Sequence, residues 1–206
     1  ITVFGGSGFL GRYLIKRLAA RGYRIRVAVR RPHLANFLQP LGGVGQIVPI
    51  QANIRDDAST ARAIEGAGAV VNLVGVRGRS GPQTLGNVNA QGARRVARLT
   101  APAGIPRQVH VSMLGAGLEA PSHMARSKAH GEGFVREAMP NAAIVRPATM
   151  FGPEDRVFNG IASCARFTPV LPLPAGAVRR QPVYAGDVAE AILRIVEDPA
   201  TDGLTY

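Results

Sequence analysis

Short apolar runs alternate along the chain with glycine-rich turns and with stretches in which apolar residues recur every three or four positions. The first run contains Ile1, Val3 and Phe4, and a glycine-rich turn separates it from residues 9–21, where leucines recur every four positions. A short apolar run predicts a buried strand, and the four-residue recurrence predicts a helix with one apolar face. The chain therefore begins with a strand, a tight turn and a helix.

The same order recurs through most of the sequence. Further apolar runs predict strands, and Pro49 inside the third run places that strand near an edge of the sheet. The later strands are predicted at residues 25–29, 46–51, 69–74 and 108–112 and before Arg146, and the helices at 33–38, from Asp56 or Asp57 to Ile64, at 87–99, from His123 onward and at 158–167. Strands that alternate with helices in this way predict an α/β fold with a doubly wound parallel sheet.

The turn after the first strand carries glycines at a regular spacing, since Gly5, Gly8 and Gly11 form a G-x-x-G-x-x-G pattern. In Rossmann-type folds the first such glycine turns the chain, the second lets backbone N–H groups approach a pyrophosphate, and the third lets the helix pack against the strand. The helix N-terminus adds about half a positive charge. A glycine-rich surface turn is the alternative. We predict that a dinucleotide binds at this turn, to Gly5, Ser7, Gly8, Phe9, Leu10 and Gly11.

The second strand ends in arginines, at the point where such folds meet the adenosine ribose. An acidic residue there holds the 2′-hydroxyl of NAD, whereas arginine holds the 2′-phosphate of NADP. Arg30 and Arg31 follow the strand, and no carboxylate stands there, so the sequence favours NADPH over NADH. Arg12 is a third candidate for binding the 2′-phosphate. The alternative is that these arginines are solvated charges. Asn53 and Ile54 leave the third strand at the same edge and are predicted to lie beside the adenine.

Composition narrows the class of protein. The 206 residues suffice for one domain with a full core, and the single cysteine, Cys164, excludes a disulfide framework. Cys164 is predicted to be a small buried residue of a protein from a reducing compartment. We find no signal peptide and no run of apolar residues long enough to be a transmembrane segment. Both ends look cut, because the chain starts at Ile1 and residues 204–206 are predicted to begin another strand.

The net charge of +12 indicates anionic partners. All but Lys16 and Lys128 of the 25 basic residues are arginines, and only 5% of residues are aromatic. Proteins that read nucleic acid by base stacking need aromatic side chains. The charge therefore predicts an anionic cofactor together with an acidic protein or anionic lipid head groups, and no nucleic acid. An arginine-rich proteome is the alternative.

Several motifs together resemble the atypical and extended short-chain dehydrogenase/reductase family, whose members are NAD-dependent epimerases, dehydratases and reductases. These motifs are the glycine turn, residues 72–75, Ser112, the serine and lysine at 127–128, and residues 146–153 and 183–189. The resemblance covers nearly the whole chain. It implies a dinucleotide-binding Rossmann domain over residues 1–154 and a small substrate-side region over 155–206. It also implies contacts to the cofactor from Leu73, Val74, Gly75, Ser112, Lys128, Pro147 and Met150.

One residue departs from the family's pattern. In that family a tyrosine four residues before the lysine is the general acid/base, and here the position is Met124. A thioether cannot transfer a proton, and loss of a positioned acid/base costs about 10²–10⁴ in rate. His123 and His130 are candidates for a substitute, although a helix directs His123 about 100° away from Met124 and places His130 more than one turn on. The resemblance therefore implies a pocket that binds the cofactor without the family's ordinary chemistry.

Two further residues have two interpretations each, and a third has one. Lys128 is implied to bind the nicotinamide ribose, or it is a lysine on an exposed helix face. Ser112 is implied to polarise a substrate oxygen, or it caps a strand end. Arg146 is interpreted as a member of a structural ion pair, with Asp187 as its candidate partner.

Within this family, residues 4–13, 44–53, 71–75 and 125–129 are similar to the nucleotide-binding accessory subunits of respiratory complex I, in particular the bacterial form. This resemblance implies a peripheral protein on the cytoplasmic side of the bacterial inner membrane, near the quinone site. It implies a structural NADPH and contacts with other complex I subunits. The alternatives are a free-standing NADP-dependent reductase or nucleotide-sugar epimerase or dehydratase, and a sensor of the NADP(H) ratio.

Overall fold

The computed structural model describes residues 1–167 and 181–206, in which strands and helices alternate. The strands are β1 (Thr2–Phe4), β2 (Ile25–Val29), β3 (Ile47–Gln51), β4 (Val70–Asn72), β5 (Gln108–Val111), β6 (Ala143–Val145), β7 (Met150–Phe151) and β8 (Val183–Tyr184). The α-helices are α1 (Phe9–Ala20), α2 (Asp57–Ile64), α3 (Gln91–Thr100), α4 (His123–Ala138), α5 (Phe158–Ala165) and α6 (Ala185–Glu197). Two 3₁₀ segments, Pro32–Leu41 and Pro199–Thr201, and a π turn, Gly86–Ala90, complete the elements.

The first six strands form one parallel sheet in the order β3-β2-β1-β4-β5-β6. This confirms the predicted doubly wound fold, and it places Pro49 on the edge strand β3, as expected for a residue without an N–H group. The strand order reverses at β1, where Val3 is paired with Val27 on one side and with Val71 on the other. Ligands of open parallel sheets bind beyond the carboxyl ends of the strands at such a reversal. The glycine turn begins at this point.

The strands are apolar because the sheet is covered on both faces. Val3 belongs to a core cluster with α1 and α6, whereas the next residue, Phe4, packs in a second cluster with α2 and α3. Both side chains are buried. Successive strand residues point to opposite faces, so a strand covered on both sides reads as a continuous apolar run rather than as an alternating one.

The start of α2 is set by a capping side chain. The Asp56 side chain accepts a hydrogen bond of 3.2 Å from the backbone N–H of Ser59 and caps α2, which settles the choice between Asp56 and Asp57. Asp57 instead contacts Arg95 and Arg98 of α3. The helix predicted at 87–99 begins with the π turn and continues as α3 to Thr100.

The carboxyl-terminal part adds small elements to the main sheet. β7 and β8 form a two-stranded parallel sheet, and the last residues run along β6, where the Tyr206 N–H donates to the Ile144 carbonyl at 2.9 Å. The strand predicted to begin at 204–206 is present only as a single parallel β-bridge between Ile144 and Thr205. The prediction that Cys164 is buried was wrong, because α5 buries none of its residues and leaves this thiol exposed. Residues 168–174, whose three prolines predict an irregular segment, lie outside the described residues.

Across residues 1–167 and 181–206, no helix combines the length and the apolar character that crossing a bilayer requires.

Candidate functional site

A cleft of about 740 Å³ opens at the carboxyl ends of β1, β2, β3 and β4, where the strand order reverses. Most residues predicted to contact a dinucleotide line it together. They are Gly5, Ser7, Gly8, Arg30, Arg31, Asn53, Ile54, Leu73, Val74 and Gly75. These residues come from four loops that are far apart in sequence, so the cleft is a product of the fold.

The glycine turn forms the floor of the cleft. Gly5 has φ +78°, a backbone conformation that favours glycine, and its carbonyl oxygen accepts the N–H of Gly8 at 3.0 Å. A Cβ atom at Gly11 would lie 2.3 Å from the Gly6 carbonyl oxygen. The third glycine is therefore required where the helix packs against the turn at Gly6, rather than against the strand itself as the pattern indicated.

The first turn of α1 begins at the edge of the cleft, which Gly8 lines and Phe9, Leu10 and Gly11 do not, and it has no side-chain cap. Gly8 is the N-cap residue, so the backbone N–H groups of Phe9, Leu10 and Gly11 receive no side-chain oxygen. The Leu10 side chain is buried in the core, and only its backbone is available to a ligand. Free N–H groups and the helix dipole together make an anion site at this turn.

Arg30 and Arg31 after β2 line the cleft, and Arg12 does not. Arg30 and Arg31 are exposed and line the cleft, and no carboxylate is found among its described lining residues. Arg12 lies outside that lining, and its guanidinium stacks on the ring of Phe37 at 4.7 Å. Of the three, Arg30 and Arg31 are the side chains available to a 2′-phosphate.

The wall near β4 is shaped by two asparagines. Asn72 accepts the Val74 N–H at 3.1 Å, and Asn89 from the π turn holds both the N–H and the carbonyl of Val76, at 2.9 and 3.0 Å. Asn89 also donates to the Ser127 hydroxyl at 3.0 Å. Sequence reasoning missed Asn89, because its partners are remote in sequence.

Lys128 is buried beneath this wall, so the interpretation as an exposed lysine was wrong. Its side chain donates to the carbonyl oxygen of Val111 at 2.9 Å and to that of Val74 at 3.4 Å. The ammonium nitrogen lies 3.0 Å from the position that a Cβ of Gly75 would occupy, and Gly75 lines the cleft. Burial lowers the pKa of Lys128 to about 8, against the opposing effect of the nearby Glu132 carboxylate.

Two other polar side chains at the end of β5 are buried. The Ser112 hydroxyl has no hydrogen-bond partner among the described residues, so no contact supports the interpretation as a strand cap. Burial lowers the pKa of His110 to about 3, with a smaller effect of Lys128, and the ring is therefore neutral. An unsatisfied buried hydroxyl is costly unless a ligand or water pairs with it.

The residue at the family's tyrosine position brings no proton-transfer group to the site. Met124 is the second residue of α4 and is half-buried. His123 contacts Arg126, with 2.8 Å between His123 Nδ1 and Arg126 Nη2, and both His123 and His130 line a separate cavity rather than the cleft. The geometry therefore does not support either histidine as a substitute.

The remaining predicted residues lie near the site without lining the cleft. Pro147 accepts the Leu114 N–H at 2.9 Å, and Met150 packs against the core. Arg146 does form an ion pair, but with Glu132 at 2.5 Å rather than with Asp187, which was the wrong partner. The pairing connects β6 to α4, and neither sequence distance nor spacing indicates it.

Other residues of the cleft were not predicted. Arg55 donates to the Pro82 carbonyl at 3.3 Å and so connects the segment after β3 to the loop that carries Gln83. A signal for Arg55 existed, since it follows the predicted Asn53 and Ile54 directly. The additional lining residues are Phe4, Ala28, Val29, Leu34, Ala52, Arg55, Val76, Gln83 and Val88.

Comparison with known proteins agrees with this geometry. Among curated proteins, the chain is 38% identical to the mitochondrial NADH dehydrogenase (ubiquinone) 1 alpha subcomplex subunit 9 of Dictyostelium discoideum, over 100% of this chain and 57% of that protein. It is 32% identical to a ceramide reductase of Caulobacter vibrioides, over 97% of this chain and 61% of that protein. The chain thus spans little more than half the length of the relatives it matches.

A solved structure shows the same fold. The dTDP-glucose 4,6-dehydratase DesIV of Streptomyces venezuelae, which was solved with NAD bound, matches with a TM-score of 0.83 at 23% identity, over 100% of this chain and 74% of that one. The model of the NAD dependent epimerase/dehydratase family, whose fold binds a nicotinamide dinucleotide, matches residues 1–205. The chain therefore belongs to the NAD dependent epimerase/dehydratase family.

Proposed function

We propose that this chain is the nucleotide-binding part of an accessory subunit of respiratory complex I, and that it holds NADPH as a structural ligand without turning it over. The observation that carries the proposal is the retention of the binding groups around a site whose acid/base position is Met124. The 38% identity to a complex I subunit over the whole chain supports the same assignment.

The residues present fit a phosphorylated dinucleotide. The uncapped first turn of α1 would bind the pyrophosphate, and Arg30 and Arg31 would bind the 2′-phosphate. Lys128 would reach the nicotinamide ribose past Gly75, where a side chain would block it. A nicotinamide dinucleotide supplies hydride chemistry when bound. In this chain the surrounding residues bind and orient it.

Met124 argues against turnover. Reduction of a carbonyl needs a proton donor beside the hydride acceptor, and Met124 has none to give. Tyr13 is the tyrosine nearest the glycine turn in sequence, and its hydroxyl donates to Glu154 at 2.6 Å. Burial and the Glu154 carboxylate raise the pKa of Tyr13 well above its usual value, so that it is a poor acid. A holder of nucleotide needs neither group.

The partners we propose are other subunits of complex I, with anionic lipid head groups as a further contact. The net charge of +12 favours acidic surfaces. The corresponding place in a bacterium is peripheral, on the cytoplasmic side of the inner membrane.

A reductase is the second candidate, since the chain is also 32% identical to a ceramide reductase. The buried hydroxyl of Ser112 and the buried ammonium of Lys128 are the observations in its favour. This candidate requires a proton donor other than the residue at position 124.

Native mass spectrometry of the protein as isolated from its own membranes tests the proposal. We expect one NADPH per chain and companion chains that belong to the NADH:quinone oxidoreductase. The bound NADPH should survive gel filtration and should not be oxidised when aldehydes or ketones are added. Recovery without nucleotide, or rapid oxidation of NADPH by the isolated chain, would contradict it.

A further inference from the structure

A second cavity, of about 450 Å³, lies between the loop that precedes the π turn and the first half of α4. Its charged and titratable side chains come from two separate elements. Arg79 belongs to the loop, whereas His123, Arg126 and His130 belong to α4. Within residues 1–167 and 181–206, this cavity and the dinucleotide cleft have no lining residue in common, so it is a different site.

The positive charge of this cavity lacks a counter-charge. Elsewhere Arg17 and Arg146 contact carboxylates. In the part of the chain that the structure describes, no carboxylate lines the cavity and neither Arg79 nor Arg126 forms an ion pair. Like charges gathered in a concave site raise the local potential and attract an anion.

Two donors of the cavity, Arg126 and His123, are held in place by their other contacts. Arg126 Nη1 donates to the carbonyl oxygens of Ala120 and Pro121 at 2.5 and 3.0 Å, which fixes the guanidinium. Its Nη2 faces His123 Nδ1 at 2.8 Å. Because a guanidinium only donates, Nδ1 accepts and the neutral ring carries its proton on Nε2, where it can be donated to a ligand.

The hydroxyl of Thr84 adds a further donor. Thr84 lines the cavity, and its oxygen accepts the backbone N–H of Asn87 at 3.1 Å. A hydroxyl that accepts from one side still has its own hydrogen to donate. The cavity therefore offers guanidinium, imidazole and hydroxyl donors. They belong to the loop and to α4, so they approach a ligand from different directions.

We propose that this cavity binds a phosphate group. A tetrahedral phosphate accepts hydrogen bonds from several directions, and arginine and histidine are suited to it by charge and geometry. The group belongs to a lipid head group or to a soluble phosphate compound, since both present the same chemistry. The site itself does not depend on the function proposed above, and its tests use the chain with NADPH bound only to keep phosphate out of the dinucleotide cleft.

Titration of the NADPH-loaded chain with inorganic phosphate at constant ionic strength tests this, with the histidine ring resonances followed by NMR. We expect the resonances of His123 and His130 to move and saturate. His33, which is exposed in the first 3₁₀ segment, and His110, which is buried, should not move. A shift of the His33 resonance instead would mean that phosphate binds at the dinucleotide cleft. The absence of a saturable shift at His123 and His130 would overturn the proposal.

Matched variants locate the site. Arg79→Gln should weaken phosphate binding about tenfold, since it removes a charge-assisted hydrogen bond. Arg77→Gln removes the same charge from the same loop, but Arg77 does not line the cavity, so the affinity should be kept. Equal weakening in both variants would mean that net charge alone binds phosphate and would overturn the site.

Vesicles distinguish the two sources of phosphate. The NADPH-loaded chain is sedimented with phosphatidylcholine vesicles that contain or lack phosphatidic acid. If a lipid head group is the ligand, Arg79→Gln loses binding to the acidic vesicles and Arg77→Gln keeps it. If the two variants sediment alike while inorganic phosphate still distinguishes them, the ligand is a soluble phosphate. Neither the phosphate titration nor the vesicle sedimentation measures retention of NADPH or copurification with complex I. A negative result in these tests is therefore distinguishable from a failure of the proposed function.

Discussion

The ammonium group of Lys128 donates a hydrogen bond of 2.9 Å to the carbonyl oxygen of Val111, the last residue of β5. This contact fixes the side chain below the cleft, at the point where Gly75 leaves room for it. Within the described part of the chain no carboxylate contacts this buried charge, because the Glu132 carboxylate is paired with Arg146. The charge of a bound dinucleotide would compensate Lys128, and that coupling can be measured.

NADPH affinity should fall as the pH rises above about 8, the pKa that burial imposes on Lys128 in the free chain. A bound anion stabilises the protonated lysine and raises its pKa, so binding above this pH requires proton uptake and weakens by up to about tenfold per pH unit. Isothermal titration calorimetry in buffers of different ionisation enthalpy measures the uptake. Lys128→Met should abolish it, whereas Lys16→Met, at an exposed position, should not. Uptake that persists in Lys128→Met would assign it to another group.

Replacement of both Arg30 and Arg31 by glutamine should raise the dissociation constant of NADPH at least about tenfold, because charge-assisted hydrogen bonds to the 2′-phosphate are lost. The dissociation constant of NADH should stay nearly the same, since NADH has no such phosphate. Arg24→Gln is the matched control, because Arg24 is exposed just before the other end of β2 and does not line the cleft. Equal losses for NADPH and NADH would place the arginines elsewhere on the cofactor.

Gly11→Ala should destabilise the chain by about 3 kcal/mol, the upper range for overpacking, and should lower nucleotide affinity. The added methyl would lie 2.3 Å from the Gly6 carbonyl oxygen, and backbone cannot move aside as a flexible side chain can. Gly133→Ala on α4 meets no atom within 4 Å and should be neutral or stabilising. Urea denaturation of both variants, with and without NADPH, gives the comparison. Similar stabilities would show that α1 can shift without cost.

Glu132→Gln should lower the free energy of unfolding by about 1–2 kcal/mol, because it removes a charge-assisted pair with Arg146 that connects α4 to β6. Asp187→Asn should cost less than about 1 kcal/mol, since among the described residues no side chain pairs with this exposed acid, and its place in the first turn of α6 leaves it the helix dipole. Denaturant titration of the two variants measures both values. A larger loss in Asp187→Asn would restore the partner that the sequence suggested.

The architecture was predictable because its signals are local. Apolar runs mark β1 to β6, Pro49 marks an edge, and the spacing of Gly5, Gly8 and Gly11 marks the turn at the strand reversal. Each of these follows from a few adjacent residues and from the period of a strand or helix. The same signals predicted about half of the residues that line the cleft, because parallel strands have their carboxyl ends at one edge of the sheet.

The errors concern contacts between remote residues. An apolar helix at 158–167 predicted a buried Cys164, but burial depends on whether another element covers the helix, and the pattern does not contain that information. The partner of Arg146 and the role of Asn89 depend likewise on how α4 packs against the sheet and the π turn. Arg12 lies on a helix that starts at the cleft, yet Phe37 holds its side chain away from the lining.

Met124→Tyr should create activity if the site is a family active site that has lost its acid/base. The introduced phenol would lie one helical turn before Lys128, whose ammonium would lower the phenol's pKa, with the buried Ser112 hydroxyl as a further polar group. We expect NADPH oxidation with a hydrophobic aldehyde to rise by about 10² or more, the usual worth of a positioned acid/base. Met124→Phe supplies the ring without the hydroxyl and should remain as inactive as the natural chain. Activity in Met124→Phe, or already in the natural chain, would show that protons come from another group and would refute the non-catalytic assignment.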